Sequence, residues 1–374
     1  MFKPSAAAPI ADTSKISQQW VALLGRKDEP TDAVEDYCRL LARSLHKKGC
    51  SLEISRVPWV EQGWRRALGG AGERFAEQRG GWILVQYTAL AWSRRGFPLR
   101  FVSLIDRLKR AGGHILIVFH DPEPFGGRRL RDRLRRHVQL AVIRRAARLA
   151  DKIVSTISPD RVPWMQDREI RVKTLSLPVG SNLPAMPRTT ETLGQRTPVI
   201  VVFGFSELVP ETAMIASVLS RAAGEVGSLQ LTVFGRGAKA AGTLLRPLLD
   251  GSSVELEELG ILEPERAGSL LANADVQLFV RSGLSSRRGS GIAGIVSGLP
   301  IVGFSDDETS FPITEAGVRL VPMGDRESLV RELVLVLKQH TLREGLRRRN
   351  FEAAERYFSW DCIADAYLSA LRAS

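Results

Sequence analysis

The sequence predicts an α/β protein built from two doubly wound, Rossmann-like domains that face each other across a cleft. Three observations carry that expectation. Strand-like and helix-like segments alternate along most of the chain, the pattern of parallel sheets with right-handed crossovers. The length of 374 residues exceeds what one ordinary core holds, and two domains suit it. The stretch 179-VGSNLPAMPRTTETLGQRTP-198, with three prolines and no apolar period, separates one alternating series from a second.

In the first series WVALLG (20–25) reads as a strand, followed by a helix over 32–49 that Gly49 ends. SLEISRV (51–57) and GWILVQY (81–87) are the next strands. A helix spans 98–113, HILIVFH (114–120) is a strand, and 128–150 is a long arginine-rich helix. DKIVSTIS (151–158) and VKTLSLP (172–178) complete a first sheet. The second series runs through VIVVFGF (199–205), LQLTVFG (229–235), SVELEEL (253–259), VQLFV (276–280) and PIVGF (300–304), and the C-terminal stretch is helical nearly throughout. The expected division is a first domain over 1–182, a linker over 183–198, a second domain over 199–355 and a terminal helix over 356–374. No short-period repeat interrupts it.

Composition is that of a globular chain, 44% hydrophobic and 25% charged, with a formal charge of +12 that favours anionic partners. Phosphorylated small molecules, membrane surfaces and nucleic acid all qualify. Cys38, Cys50 and Cys362 are too few and too scattered for a disulfide framework or a zinc site, which suits a reducing compartment. The N-terminus lacks the apolar core of a signal peptide, and no window approaches the roughly 18 apolar residues of a membrane span. A cytoplasmic protein is expected.

Open α/β sheets bind ligands beyond the carboxyl ends of their strands, where loops lead into helix N-termini. There the most informative segment is 285-SSRRGSGIAGIVSGLPIVGF-304. Ser290 can cap the helix GIAGIVS, and Gly298 can close it. Free amides at Gly289 and Gly291, the helix dipole and the guanidinium groups of Arg287 and Arg288 can converge on a phosphate, although arginines on a solvated loop would look the same. His120, at a strand end and followed by Asp121, can donate to a substrate oxygen or move a proton, or can be structural. Gln86 and Tyr87 end a strand that points into the cleft. GRGAKAAG (235–242) lacks dinucleotide-fingerprint spacing, so its glycines serve a turn and Arg236 projects toward the cleft. Between 128 and 148 lie nine arginines and one aspartate, with Val138, Leu140, Val142 and Ile143 among them. Such a helix can lie on anionic lipid, or can be the solvated outer helix of an α/β domain. No nucleic-acid-binding module is present, and aromatics do not interleave with the charge.

VFHDPEPF, SLPVGSNLP, VIVVFGF, the long stretch GILEPERAGSLLANADVQLFVRSGLSSRRGSGIAGIVSGLPIVGF and the closing FSWDCIADAYLSAL occur in this order. Together they resemble GT-B glycosyltransferases, specifically the nucleotide-sugar-dependent, retaining group called glycosyltransferase family 4, over nearly the whole chain. The resemblance implies a GT-B fold whose C-terminal helix crosses back to the first domain. It also implies a catalytic role for His120 and a donor site for nucleotide and diphosphate at Gly204, Ser206, Arg236, Arg287, Arg288, Gly289 and Ser290. Gln86, Tyr87 and Asp121 would meet the acceptor or the sugar. The nucleoside-diphosphate sugar is a co-substrate; no cofactor and no metal are implied. The acceptor would be a glycan, a lipid-linked molecule or a secondary metabolite, with contact to an anionic membrane through 128–150 as a further partner and no nucleic acid. The chain departs from the family at Ser285 and Ala293, where many members carry the two glutamates of an E-x7-E motif, and GFSELVPETA lacks the usual arginine and lysine. Those departures put more of the diphosphate's binding on Arg287 and Arg288. A nucleotide-sugar epimerase of the same fold and a non-catalytic, membrane-docked module are the alternatives.

Overall fold

The computed structural model describes residues 18–76, 81–127, 129–189 and 196–372. The first sheet has six parallel strands in the order β2-β1-β3-β4-β5-β6: β1 Gln18–Leu24, β2 Cys50–Arg56, β3 Trp82–Tyr87, β4 His114–Phe119, β5 Lys152–Ser155 and β6 Thr174–Ser176. Its crossovers carry α1 Ala33–Lys47, α2 Trp59–Ala76, α3 Leu99–Arg110, α4 Leu130–Leu149 and the single turn α5 Arg168–Arg171. A second parallel sheet, ordered β12-β11-β10-β7-β8-β9, follows: β7 Val199–Phe203, β8 Leu229–Phe234, β9 Val254–Gly260, β10 Val276–Gly283, β11 Ile301–Ser305 and β12 Val318–Pro322. Its helices are α6 Leu208–Val226, α7 Ala238–Leu249, α8 Pro264–Asn273 and α9 Gly289–Val296, then α10 Arg326–Lys338, α11 His340–Ala353 and α12 Trp360–Arg372.

Central strands such as β3 and β4 are buried on both faces, which is why they read as unbroken apolar runs rather than alternating ones. Two elements escape the sequence pattern. In α2 four glycines dilute the helical period, and Gly63 takes a non-helical φ of 74° where the helix kinks. The edge strand β12 is short and mostly half-buried, so no apolar run marks it.

The expected linker 183–198 lies partly outside the described residues. Its described flanks are anchored: Arg188 and Arg196 both pair with the fully buried Asp275 at the start of β10. Beyond α11 the chain returns to the first domain. Ile363, Ala364, Tyr367, Leu368 and Leu371 of α12 share an apolar cluster with Leu41 and Leu45 of α1, and the Tyr37 and Tyr367 hydroxyls bond at 2.9 Å. Burying a leucine fully contributes about 1.5–3 kcal/mol, so this docking is a strong tie between the chain's two ends.

In the arginine-rich helix, Val142 and Ile143 belong to the first-domain core, while Val138 and Leu140 pack against it. The apolar residues that interrupt its charge therefore hold α4 on the domain. Arg128 lies outside the described residues. No helix among them is long and apolar enough to cross a membrane.

Candidate active site

The carboxyl ends of the two sheets face each other. In the first domain His120 is the residue after β4. Its amide donates to the Tyr87 carbonyl at 3.2 Å, and its own carbonyl accepts from Thr156 Oγ1 at 3.2 Å, so the backbone is held from both sides. The imidazole Nε2 lies 2.8 Å from Gln86 Oε1. Gln86 Nε2 donates to the Leu84 carbonyl, which leaves Oε1 as the acceptor and assigns the imidazole proton to Nε2. Nδ1 then keeps a lone pair. Burial pushes the His120 pKa down to about 4, so the ring is neutral near pH 7 and can accept or donate without adding charge. Tyr37 meets it edge-on, ring centres 5.0 Å apart, and Trp360 meets Tyr37 in the same way at 5.0 Å. Through this stack the returning C-terminal helix braces the histidine.

A cavity of about 580 Å³ opens beside His120, lined by first-domain residues. Gln86, Tyr87 and Asp121 line it, with Leu24, Val34, Leu90, Phe125 and Ile143 as its apolar wall and Arg26, Lys27, Arg94 and Arg95 toward the rim. Gly25 is required at its floor: a Cβ there would lie 2.3 Å from the Ala91 carbonyl, whose close approach lets it accept from the Arg26 amide at 2.8 Å. The Tyr87 hydroxyl is buried without a hydrogen-bond partner. Burial, with Asp121 nearby, raises its pKa, so it is a neutral phenol. An unpaired buried hydroxyl costs free energy that a ligand oxygen can recover.

Across the cleft, β10 ends at Gly283 and α9 begins at Gly289. Arg287 forks onto Glu308, with Nε 2.8 Å and Nη2 2.6 Å from its carboxylate oxygens, and reaches Asp121 of the first domain at 2.9 Å. Burial alone would lower its pKa, yet Glu308 and Asp121 hold it above the usual value. Arg281 and Arg288 are arranged otherwise. Both are half-buried, neither forms an ion pair among the described residues, and the Nε of each lacks a partner. Burial lowers both pKa values, and like charge adds to it, from Arg288 on Arg281 and from Arg287 on Arg288. Arg288 is the N-cap from which the first turn of α9 begins. The Gly291 amide, expected to be free, donates to the Arg288 carbonyl at 2.9 Å as the helix begins, while the Ser290 hydroxyl, buried in that turn, lacks a partner. Two arginines outside any ion pair, a helix N-terminus and an idle hydroxyl are groups that can hold an anion.

Other second-domain groups at this edge are engaged. Glu211 accepts from the amides of Ser206 and Glu207 and from the Ser206 hydroxyl, closing the start of α6. Arg236 reaches the first domain, contacting Asp28 at 3.3 Å and the Thr31 carbonyl at 3.1 Å. Ser286 donates to the Thr156 carbonyl at 2.6 Å, a third bridge between the domains. Among the described residues no group of three or more His, Cys, Asp or Glu is placed to hold a metal ion.

No protein-family profile and no curated sequence matches the chain. Solved structures do resemble it. HepE of Anabaena, crystallised with UDP, superposes with a TM-score of 0.65 at 12% identity, over 96% of this chain and all of that one. Sucrose-phosphate synthase of Thermosynechococcus elongatus gives a TM-score of 0.67 at 16% identity over the same shares. A Listeria monocytogenes protein assigned as a UDP-N-acetylglucosamine 2-epimerase gives 0.62 at 12% identity, over 96% of each chain. The fold is GT-B.

Within the GT-B cleft the expected residues separate into groups. His120, Gln86, Tyr87 and Asp121 stand together on the first-domain side. Arg288, Gly289 and Ser290 stand together opposite, with Gly204 close by: a Cβ on Gly204 would lie 3.5 Å from Arg281 Nη1. Ser206 and Arg236 are at the same edge but already bonded to protein groups. Two details differ from the expectation. The N-cap of α9 is Arg288, and Ser290 lies inside the first turn, because the chain turns helical two residues earlier than the GIAGIVS pattern suggests. Arg287, grouped with Arg288 in the sequence, is neutralised by Glu308 and Asp121, so the cation left beside Arg288 is Arg281. Gly298 closes the helix as expected, with φ of 66°.

Arg281 and Glu308 went unmarked in the sequence. Arg281 extends β10 beyond the apolar run that signals the strand; its signal was a lone arginine following VQLFV. Glu308 sits in an acidic loop, SDDETS, indistinguishable from a solvated turn. The structure sets Glu308 against Ser285, from whose hydroxyl it accepts at 3.1 Å, so a carboxylate stands beside one of the two positions at which the sequence departs from the E-x7-E pattern. Ala293 has no such substitute, being buried in an apolar layer with Val201, Phe234 and Leu299.

Proposed function

We propose that this protein transfers a sugar from a nucleoside-diphosphate sugar, held by the second domain, to an acceptor hydroxyl in the first-domain cavity. The observation that carries this reading is the pair Arg281 and Arg288: two half-buried arginines, at the end of β10 and the N-cap of α9, that form no ion pair among the described residues, with the unpartnered Ser290 hydroxyl in the turn that follows. A diphosphate supplies the charge and the acceptor oxygens that this cluster lacks. Charge developing on the departing diphosphate would meet preorganised cations and a helix dipole, the electrostatic form of leaving-group stabilisation. His120 and Gln86 border the space where the sugar would lie, and the neutral imidazole offers the sugar a hydrogen-bond partner without competing for the diphosphate.

The bond from the anomeric carbon to the acceptor oxygen forms as the bond to the diphosphate oxygen breaks. The acceptor proton passes to the leaving diphosphate. Retention of configuration follows the sequence resemblance, and a glycan or lipid-linked acceptor fits a cavity with an apolar wall and a basic rim. Because the HepE structure holds UDP, UDP and its sugars are the first donors to test. Calorimetry should show UDP binding that Arg288→Ala weakens at least tenfold, a loss of about 1.4 kcal/mol. Absence of binding by any nucleoside diphosphate overturns the reading. The structural neighbour assigned as an epimerase favours a second reading, same donor but no acceptor. Product analysis decides: a changed nucleotide sugar without acceptor supports the epimerase, and a new glycoside formed only with acceptor supports the transferase.

A further inference from the structure

The loop over 88–97 contributes to two spaces, the first-domain cavity and a smaller groove of about 300 Å³. Arg94 and Arg95 line both, so the two spaces adjoin. The lining of the groove is aromatic. Trp59 and Trp64 stack face to face, ring centres 5.2 Å apart and planes 11° from parallel, and Trp92 and Phe97 line it beside them. Residues five apart on an unbroken helix point about 140° away from each other. The stack exists because Gly63, with φ of 74°, kinks α2 between the two indoles. Trp59 and Trp92 are buried, and their N–H groups donate to the Ala91 carbonyl at 3.0 Å and the Gln86 carbonyl at 2.9 Å, which fixes the loop. Trp64 is the half-buried outer ring of the pair.

The charge of the groove is positive. Arg94, Arg95 and Arg100 line it, all three are exposed, and none has an ion-pair partner among the described residues. Three carboxylates that line the adjoining cavity are taken, Asp28 by Arg236, Asp32 by Arg56 and Asp121 by Arg287. A ligand that suits the groove therefore carries negative charge and a flat apolar face. A sugar ring has such a face: its C–H bonds pack on the electron-rich indole surface while its hydroxyls stay in water. A uronic acid adds a carboxylate that a guanidinium fork matches. The cavity in turn suits a hydroxyl-bearing group, because the Tyr87 hydroxyl in its wall is buried without a partner. Single-stranded nucleic acid needs a row of aromatics on which successive bases stack. Here the indoles stack on each other and present one platform, which favours a sugar.

We propose that the acceptor is an acidic oligosaccharide that enters end first. Its terminal unit occupies the cavity, and the units behind it lie over the Trp59–Trp64 pair with their carboxylates on Arg94, Arg95 and Arg100. This inference rests on the transferase reading for the meaning of the cavity and names the class of acceptor. Binding to the groove is measured without donor, so the two readings fail separately.

The test is calorimetry and tryptophan fluorescence of the full chain with oligomers of galacturonate, of mannuronate, and of alternating N-acetylglucosamine and glucuronate, each as dimer and tetramer. Maltose and maltotetraose are the neutral comparison. At least one acidic tetramer should bind roughly tenfold more tightly than its dimer and than maltotetraose, with affinity falling as salt rises. Trp64→Ala should remove about three- to tenfold of the gain from dimer to tetramer and leave the dimer's affinity unchanged, and Trp64→Phe should restore part of it. Arg94→Gln/Arg95→Gln, at exposed positions that the fold does not depend on, should weaken the acidic tetramer about threefold or more and leave maltotetraose unchanged. UDP titrated into the same samples keeps the readings apart. UDP bound without any acidic oligosaccharide overturns this inference alone, and an acidic oligosaccharide bound without any nucleoside diphosphate overturns the donor reading alone. The inference also fails if maltotetraose binds as tightly as every acidic tetramer, or if the tryptophan and arginine variants keep the wild-type preference for length and charge. A thymidine oligonucleotide held more tightly than every acidic tetramer overturns it in favour of nucleic acid.

Discussion

Replacing Arg281 by methionine separates a binding arginine from a structural one. Arg281 is charged in the folded and the unfolded chain, so its burial and the proximity of Arg288 both work against folding. Methionine keeps most of the apolar stem and removes the charge. It forfeits the cation–π contact with Phe279, 5.7 Å from guanidinium to ring centre, worth about 0.5–1 kcal/mol. It relieves desolvation and like-charge repulsion on the order of 1–2 kcal/mol for a partly buried pair. The ligand-free variant should therefore be as stable as wild type or more stable by up to about 1 kcal/mol, where removal of one partner from a buried ion pair costs about 3–5 kcal/mol. UDP should behave oppositely. A charge-assisted hydrogen bond contributes about 1.5–3 kcal/mol, so Kd should rise roughly 10- to 100-fold. Thermal and denaturant unfolding with and without UDP reads both effects. At a UDP concentration of about 100 times the wild-type Kd, wild type gains about 2.7 kcal/mol and a variant weakened 30-fold about 0.9 kcal/mol. A variant that loses more than about 2 kcal/mol without ligand, yet binds UDP within about twofold of wild type, refutes the reasoning and makes Arg281 a structural residue.

Three further outcomes are expected. With a folded pKa of about 4 against an ordinary 6.5, His120 takes up its proton in the unfolded chain first, so its contribution to stability is complete above about pH 6.5 and is lost as pH falls toward 4. His120→Gln should flatten the stability–pH curve there by about 2–3 kcal/mol, and parallel curves from urea titrations at pH 7, 5.5 and 4.5 would contradict the burial argument. Tyr37→Phe should cost about 1–3 kcal/mol by stranding the Tyr367 hydroxyl, and Tyr37→Phe/Tyr367→Phe should cost less than the two single changes summed; strict additivity in a double-mutant cycle would deny the bond. Ser290→Ala should leave ligand-free stability within about 0.5 kcal/mol and weaken UDP roughly 3- to 10-fold, because the hydroxyl has no partner until the diphosphate arrives. The opposite pattern, stability lost and affinity kept, assigns the serine to the fold.

Much of the fold was legible in the chain because doubly wound sheets write themselves as apolar strands alternating with amphipathic helices. All six strands of the first sheet and five of the second announce themselves in that way. The exceptions have local causes, glycines diluting α2 and half-burial silencing β12. The candidate site was legible in part. Position told on His120, Gln86 and Tyr87, which end strands, and on Arg288, Gly289 and Ser290, which open a helix. Partnership did not, since Arg287 and Arg288 are adjacent and chemically identical in the sequence.

The sequence by itself determined the two-domain α/β architecture, the edge of each sheet where chemistry gathers, and the cationic character of that edge. Periodicity and loop position are properties of neighbours along the chain, and neighbours suffice for them. The tertiary structure decided which charges remain unneutralised. Glu308 and Asp121, at separations of 21 and 166 residues, claim Arg287, while Asp28 claims Arg236 from 208 residues away. It also decided that α4 turns Val142, Ile143 and Ala146 inward and leaves Leu130 and Leu134 exposed. Charge pairing and burial depend on what distant segments bring to the same place, and no reading of local pattern contains that.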